Sequence, residues 1–181
     1  MATWNLDPAH TAAEFSARHM MVTTVRGGFR NITGTLEFDP ANPAAARVEA
    51  VIQTADMIST GLADRDNHLK GPDFLDVASY PTITFKSTRV EPTGENRAKI
   101  YGDLTIRGVT REVAIDAEYL GEIASPWGDH RAGFTGSVTI NREDFGLTWN
   151  MALEAGGWLV GKDVKIALDV EAIKVAEPAF A

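Results

Sequence analysis

The sequence predicts an all-β protein, about eight antiparallel strands interrupted by one short helical insert, and three observations predict it. Apolar and polar residues alternate with a period of two along most of the chain, the mark of strands with one buried and one solvated face. Turn residues separate these runs into strands of roughly 8–11 residues. Small side chains recur on the apolar face, which points to a sheet closed around space. A closed barrel has no exposed edge; a two-sheet sandwich shows the same alternation and stands as the rival.

The strands follow in order. In "AAEFSARH", preceded by Thr11, the residues Thr11, Ala13, Phe15, Ala17 and His19 share one face. His10, Ala12, Glu14, Ser16 and Arg18 share the other. "RNITGTLEFD" puts Ile32, Gly34, Leu36 and Phe38 on one side, and "PTITFKSTRV" does the same with Ile83 and Phe85. Between them "ARVEAVIQTA" is strand-like, but its alternation is too poor to assign faces. "AKIYGDLTIRG" sets Ile100, Gly102, Leu104 and Ile106 against Lys99, Tyr101, Asp103 and Arg107. "REVAIDAEYL" sets Val113, Ile115, Ala117 and Tyr119 against Glu112, Asp116 and Glu118. The short link Gly108-Val109-Thr110 makes these two a hairpin. "AGFTGSVTIN" contributes Phe134, Gly136, Val138 and Ile140, and "DVKIALDVEAIKV" contributes Val164, Ile166, Leu168 and Val170.

Six inward positions are minimal: Ala13, Ala17, Gly34, Gly102, Ala117 and Gly136. Each glycine alone reads equally well as a bend where a strand coils. Taken together, the six predict unfilled interior volume, hence an elongated apolar cavity. Strands of ~10 residues rising ~3.3 Å each at a tilt near ~40° make it about 25 Å long.

Residues 59–81, "STGLADRDNHLKGPDFLDVASYP", break the strand rhythm. Ser59 or Thr60 is the expected helix cap, Leu62 and Leu69 fall on one face, and Gly71-Pro72 ends the helix. Leu69, Phe74 and Leu75 are placed to close one barrel end. The run "DRDNH" lacks a calcium-loop spacing and reads as a solvated helix face. Residues 141–161, "NREDFGLTWNMALEAGGWLVG", form a long connection that is unusually apolar for a loop. A portal, a self-packed cover and a dimer contact all fit it.

Composition narrows the function. One domain spans 1–181, with its core over about 3–175; 44% hydrophobic and 23% charged residues suit a globular fold. A net charge of −8 argues against nucleic acid, and against anionic lipid head groups, both of which need cationic surface. The absence of cysteine excludes thiol catalysis, disulfides and cysteine-based metal sites. No run approaches the ~18 apolar residues of a membrane helix. The N-terminus carries no signal-peptide pattern, so the expected location is the cytoplasm, or the periplasm or exterior if a leader was removed.

"LDPAHTAAEFSARHMM" brings Asp7, His10, Glu14 and His19 close in sequence, as a metal or acid–base site would. On a strand, His10 and Glu14 point away from His19, so no triad forms across the sheet. Asp7-Pro8 reads as a turn that His10 fastens by hydrogen bonds. No phosphate loop, His-Glu-x-x-His helix or Gly-x-Ser-x-Gly elbow occurs. His68 and His130 read as surface residues. The expectation is therefore no catalytic residue, no metal and no enzyme.

Several stretches together resemble one family: "WNLDPAHTAAEFSARHM", "GTLEFDP", "DRDNHLKGPDFLDVASYPTITFKST", "GDLTIRGVTREV" and "INREDFGLTWN" followed by "VGKDVKIALDVEA". In order and spacing they are similar to the YceI-like family over roughly residues 3–175. The resemblance implies an extended lipocalin-like β-barrel whose interior holds a long polyisoprenoid or a similar amphiphile. It implies frequent export in bacteria and the option of a homodimer. The expected function is non-enzymatic binding, storage or transport of an isoprenoid quinone or prenyl lipid, with no cofactor besides that guest. A fatty-acid-derived amphiphile, and an enzyme acting on a lipid held in the barrel, are the alternatives. The expected walls are Phe15, Ile32, Leu36, Phe38, Phe85, Leu104, Ile115, Phe134, Val138, Ile166 and Leu168, though a plain core accounts for each as well. Met20 and Met21 are expected as adaptable packing near an entrance. His19, with Arg18 or Arg30, is the candidate to meet a head group.

Overall fold

The structure, a computed structural model, describes residues 1–176; the end of the expected 1–181 domain, residues 177–181, lies outside the described residues. Eleven strand segments form one antiparallel sheet: β1 (Ala2–Leu6), β2 (Ala12–His19), β3 (Thr23–Phe29), β4 (Thr33–Phe38), β5 (Arg47–Gln53), β6 (Met57–Ile58), β7 (Thr82–Gly94), β8 (Arg97–Ile106), β9 (Val109–Ala124), β10 (His130–Asn141) and β11 (Val160–Lys174). Eight of them close a ring in the order β1-β4-β5-β7-β8-β9-β10-β11, sealed by Leu6 opposite Ala172 and Trp4 opposite Lys174. The barrel reading holds, and the sandwich is set aside.

The other three segments extend positions already in the ring. β1 pairs with the end of β11 at Ala172–Lys174, and β2 pairs with its earlier stretch from Val160 to Asp169. One wall position is thus filled by two segments separated by the turn through Asp7 and His10. β3 and β4 are divided in the same way at Asn31, whose φ of 56° is left-handed, and β5 and β6 at a 3-10 turn over Thr54–Asp56. Sequence patterning missed β1, β3 and β6. β6 has only two residues. β3, "TTVRGGF", hides its alternation behind Gly27 and Gly28, where neighbouring strands come close: a Cβ on Gly28 would sit 2.7 Å from the Ala13 carbonyl oxygen.

The inward faces read from β4, β7, β8, β9, β10 and β11 are those observed, and β5 resolves to Val48, Ala50 and Ile52 facing in. Buried residues form two clusters, one around Trp4, Leu36, Phe38 and Ala172, the other around Phe29, Phe74, Leu104, Phe145 and Leu147. Between them lies the cavity.

The insert forms α1 (Ala63–Lys70), which ends at Gly71 as expected. Its N-terminus is held in the opposite sense to the expected cap. Neither Ser59 nor Thr60 caps it; the Asp66 carboxylate reaches back and accepts from Ser59 Oγ at 2.5 Å, Thr60 N at 2.8 Å and Thr60 Oγ1 at 2.6 Å. Those hydrogen bonds, Ser59's first, pull the Asp66 carboxyl down to about 2. Leu62 precedes the helix and is exposed, so Leu62 and Leu69 form no common face. Leu69 packs inward, and His68 is half-buried against the Phe74 and Trp149 rings.

Candidate functional site

An apolar cavity of about 370 Å³ runs inside the barrel, within the range of small-molecule sites. Along β11 its lining extends from Val160 to Val170, about 25 Å along the axis at ~3.3 Å per residue and ~40° of tilt. One end is a floor of buried Phe74, Phe145 and Leu147, with Leu69 and Leu75 beside them. At the other end the lining residues Pro40, Gly94, Glu95, Asn96 and Arg97 are exposed, so the mouth lies between the β4–β5 connection and the β7–β8 turn. An ion pair from Arg97 to Glu118 at 3.6 Å stands at that rim. Below it Phe38, Tyr119 and Phe134 stack into an aromatic collar with centroids 5.0–5.3 Å apart. Burial raises the Tyr119 hydroxyl above its ordinary value, and Glu122 adds to this, so it is a neutral donor at the upper wall.

Eleven of the expected wall residues line this one cavity: Phe15, Ile32, Leu36, Phe38, Phe85, Leu104, Ile115, Phe134, Val138, Ile166 and Leu168. His19, Met20 and Met21 do not. They sit where β2 turns into β3, past the floor; Met20 and Met21 occupy the turn itself and project outward, 44% and 67% exposed. His19 is the last residue of β2, opposite Val160, and lies at the end of the inward face beyond Ala17, where that face stops lining the cavity.

Of the six minimal inward positions, four line the cavity and two, Gly34 and Gly102, do not. Gly34 does not face a void: a Cβ there would collide with the Glu49 carbonyl oxygen and lie 2.9 Å from Ala50 Cα. At Gly102 the space is taken by the Phe85 ring, with the Lys86 carbonyl oxygen 2.6 Å away. At Gly136 it is taken by Ile115 and Leu168, at 3.1 and 3.2 Å. These glycines admit their neighbours, so closeness of strands accounts for them. Ala13, Ala17 and Ala117 line the open space, and so does Gly136.

Arg142 was not singled out by sequence reasoning. It starts a 3-10 turn over Arg142–Phe145 and is 4% exposed. Its guanidinium donates to four carbonyl oxygens: Gly161 at 2.8 Å, Leu147 at 2.5 Å, Trp149 at 3.0 Å and Val160 at 3.3 Å. Burial lowers its pKa, yet guanidinium stays charged at neutral pH. This hub ties the late connection down over the floor, which makes that loop a self-packed cover. The signal available in sequence was an arginine just ahead of the apolar run 145–153.

Asp7, His10, Glu14 and His19 do not assemble. Instead Asp7, His10 and Glu171 bring ligand atoms within 4.8 Å of one another. Arg131 occupies the centre of that group, bonding Asp7 Oδ2 at 3.1 Å and also Glu171, so the carboxylates already have their cation and the donor set does not suit a metal. The cluster is a clasp: it fixes the β1–β2 turn to β10 and β11. Burial alone would raise the Asp7 carboxyl, but hydrogen bonds from His10 and the Ala9 N–H, with the charges of His10 and Arg131, hold it below its ordinary range. The hydrogen bond to Asp7, then the charge of Glu171, lifts His10 above 6.5. The folded protein thus binds that proton more tightly than the unfolded chain, so the stabilisation is complete below about pH 6.5 and fades as pH rises through the lifted value. Thermal unfolding of the parent protein and His10→Gln should therefore diverge most in mildly acidic solution, where His10 is protonated and Asp7 still ionised, and converge as pH rises past the lifted His10 value.

Known proteins agree with this architecture. A UPF0312 protein of Ectopseudomonas mendocina (strain ymp) is 38% identical over 165 residues, 91% of this chain and 83% of that protein. The crystal structure of Burkholderia cenocepacia BcnA superposes with a TM-score of 0.79 at 24% identity, covering 92% of this chain and 98% of that one. A polyisoprenoid binding domain from Saccharophagus degradans, implicated in plant cell wall breakdown, superposes with a TM-score of 0.68 at 13% identity, covering 97% and 100%. The family model described as the YceI-like domain matches residues 4–172, and with the closed barrel in view the chain belongs to the YceI-like family.

Proposed function

We propose that the barrel binds, stores or carries a long-chain polyisoprenoid, an isoprenoid quinone or prenyl lipid, without chemically altering it. The observation that carries this reading is the cavity: long, lined almost throughout by hydrocarbon, closed below and open above. Each methylene-sized unit removed from water contributes ~0.8 kcal/mol. Ten such units supply about 8 kcal/mol before the cost of association, so a chain guest is retained without a charged anchor. The polyisoprenoid binding domain among the structural neighbours supports the choice of chain.

Non-enzymatic action is favoured because, of the charged lining residues, Glu95, Arg97 and Glu118 stand at the rim, Glu14 lies on the exposed outer face of β2, and Arg142 is engaged by backbone. Arg97 and Glu118 pair with each other, and Arg142 donates to four carbonyls. None of the lining residues is a histidine or cysteine, so the inner wall offers no nucleophile held by an imidazole base. We propose no cofactor beyond the guest. Native mass spectrometry of purified protein, with extraction and identification of the released molecule, tests the reading. A mass in the isoprenoid series, recovered unchanged after prolonged incubation, is expected. A fatty-acid derivative, a chemically converted lipid or a barrel empty after mild purification overturns it.

A further inference from the structure

The barrel carries a second apolar surface, on its outside and at the closed end. Met20, Met21 and Val22 at the β2–β3 turn are 44%, 67% and 75% exposed, and Met151 and Trp158 of the late connection are 55% and 54% exposed. They form one patch because the two segments are bonded together: Met20 N donates to the Leu159 carbonyl at 2.8 Å, Leu159 N donates to the Met151 carbonyl at 2.9 Å, and the Met21 thioether lies over Gly157. Met20 and Met21 both hold left-handed backbone, with φ of 51° and 63°. This conformation ordinarily falls to Gly or Asn in a hairpin turn and is unfavourable for other L-residues. The turn thus bears strain while displaying bulky apolar side chains to water.

The charge beside this patch departs from that of the whole chain. Net charge is −8, yet no Asp or Glu occurs between Glu14 and Glu37, a stretch that holds Arg18, Arg26 and Arg30. On the outer face Ser16 stands opposite Arg26 on one side and Lys165 on the other, with Arg18 one outward position nearer the tip. Among the described residues Arg18, Arg26 and Lys165 make no ion pair. Glu14, Asp163 and Glu154 are the acids closest in chain and register, and all are exposed.

We propose that this patch docks the protein on an anionic lipid bilayer, with Met20, Met21, Val22 and Trp158 entering the interface and Arg18, Arg26 and Lys165 meeting the head groups. Trp and soft apolar side chains favour that boundary, and cations near an anionic surface add to the attraction. A second copy of the chain fits less well, because a two-fold contact sets the same patch against itself and brings these cations together. Docking here leaves the mouth at the far end free. The surface does not depend on what the cavity holds.

The test is co-sedimentation of the full chain with vesicles of phosphatidylcholine alone or mixed with phosphatidylglycerol. Binding to the mixed vesicles at low salt is expected, with little binding to phosphatidylcholine alone and loss as salt rises. Met21→Glu, and separately Arg18→Ser with Arg26→Ser, should each reduce partition at least tenfold while the unfolding midpoint holds. No partition of the parent protein, partition insensitive to both variants, or a parent dimer that Met21→Glu converts to monomer overturns the proposal.

Discussion

Replacing Ala117 with tryptophan is expected to weaken retention of a chain guest by ~100-fold, about 2.7 kcal/mol, while leaving the barrel folded. Ala98, Ala117 and Gly136 stand in one row across β8, β9 and β10, and all three line the cavity. At Gly136 the neighbouring Ile115 and Leu168 already fill the space. Ala117 is therefore the position in the row from which a longer side chain projects into the open interior. An indole there occupies volume the guest would use and buries its own apolar surface, a substitution of the cavity-filling kind that commonly stabilises. Lipid content after purification and displacement of a fluorescent fatty probe read the binding; the unfolding midpoint reads the fold. Unchanged lipid content in a folded Ala117→Trp protein would place the guest outside this cavity.

Arg142→Met should destabilise the protein by about 3–4 kcal/mol, a large share of the ~5–15 kcal/mol that holds a domain folded. The side chain of methionine fills much of the same room but offers no donors. Four carbonyl oxygens, of Leu147, Trp149, Val160 and Gly161, then lose their partner, at about 1 kcal/mol each. The loss falls on the connection between β10 and β11, so limited proteolysis within 148–159 should quicken before global unfolding. Urea denaturation gives the magnitude. A loss below about 1 kcal/mol would show that water or rearranged backbone replaces the arginine, and that the hub is not what holds the floor cover down.

The legible part of this protein was whatever a period of two could encode. β8 to β11 have long, uninterrupted alternation, and their inward residues were assigned correctly because a strand has only two faces to choose between. β1, β3 and β6 were missed for different reasons: β1 is a five-residue segment before a Pro-containing turn, β6 has two residues, and β3 carries two glycines whose purpose is to admit neighbours. The small inward residues signalled the cavity in part: Ala13, Ala17, Ala117 and Gly136 line it, whereas Gly34 and Gly102 touch adjacent strands and lie outside the lining. Tertiary hydrogen bonding was the least legible level. Arg142 reaching four carbonyls, and Arg131 reaching residues 124 and 40 positions away, leave no local pattern to read. Asp66 shows the same limit at short range, since a helix-start motif and its reversal use the same residue types.

Closing the bore below with Phe74, Phe145 and Leu147 turns it into a gauge. For the proposed chain guest, each added segment would gain shelter only until its tip met those side chains, and any surplus would stay wet beyond the rim. On the proposed reading, selection among homologous tails would follow from depth, a property of the bore and not of any single polar group.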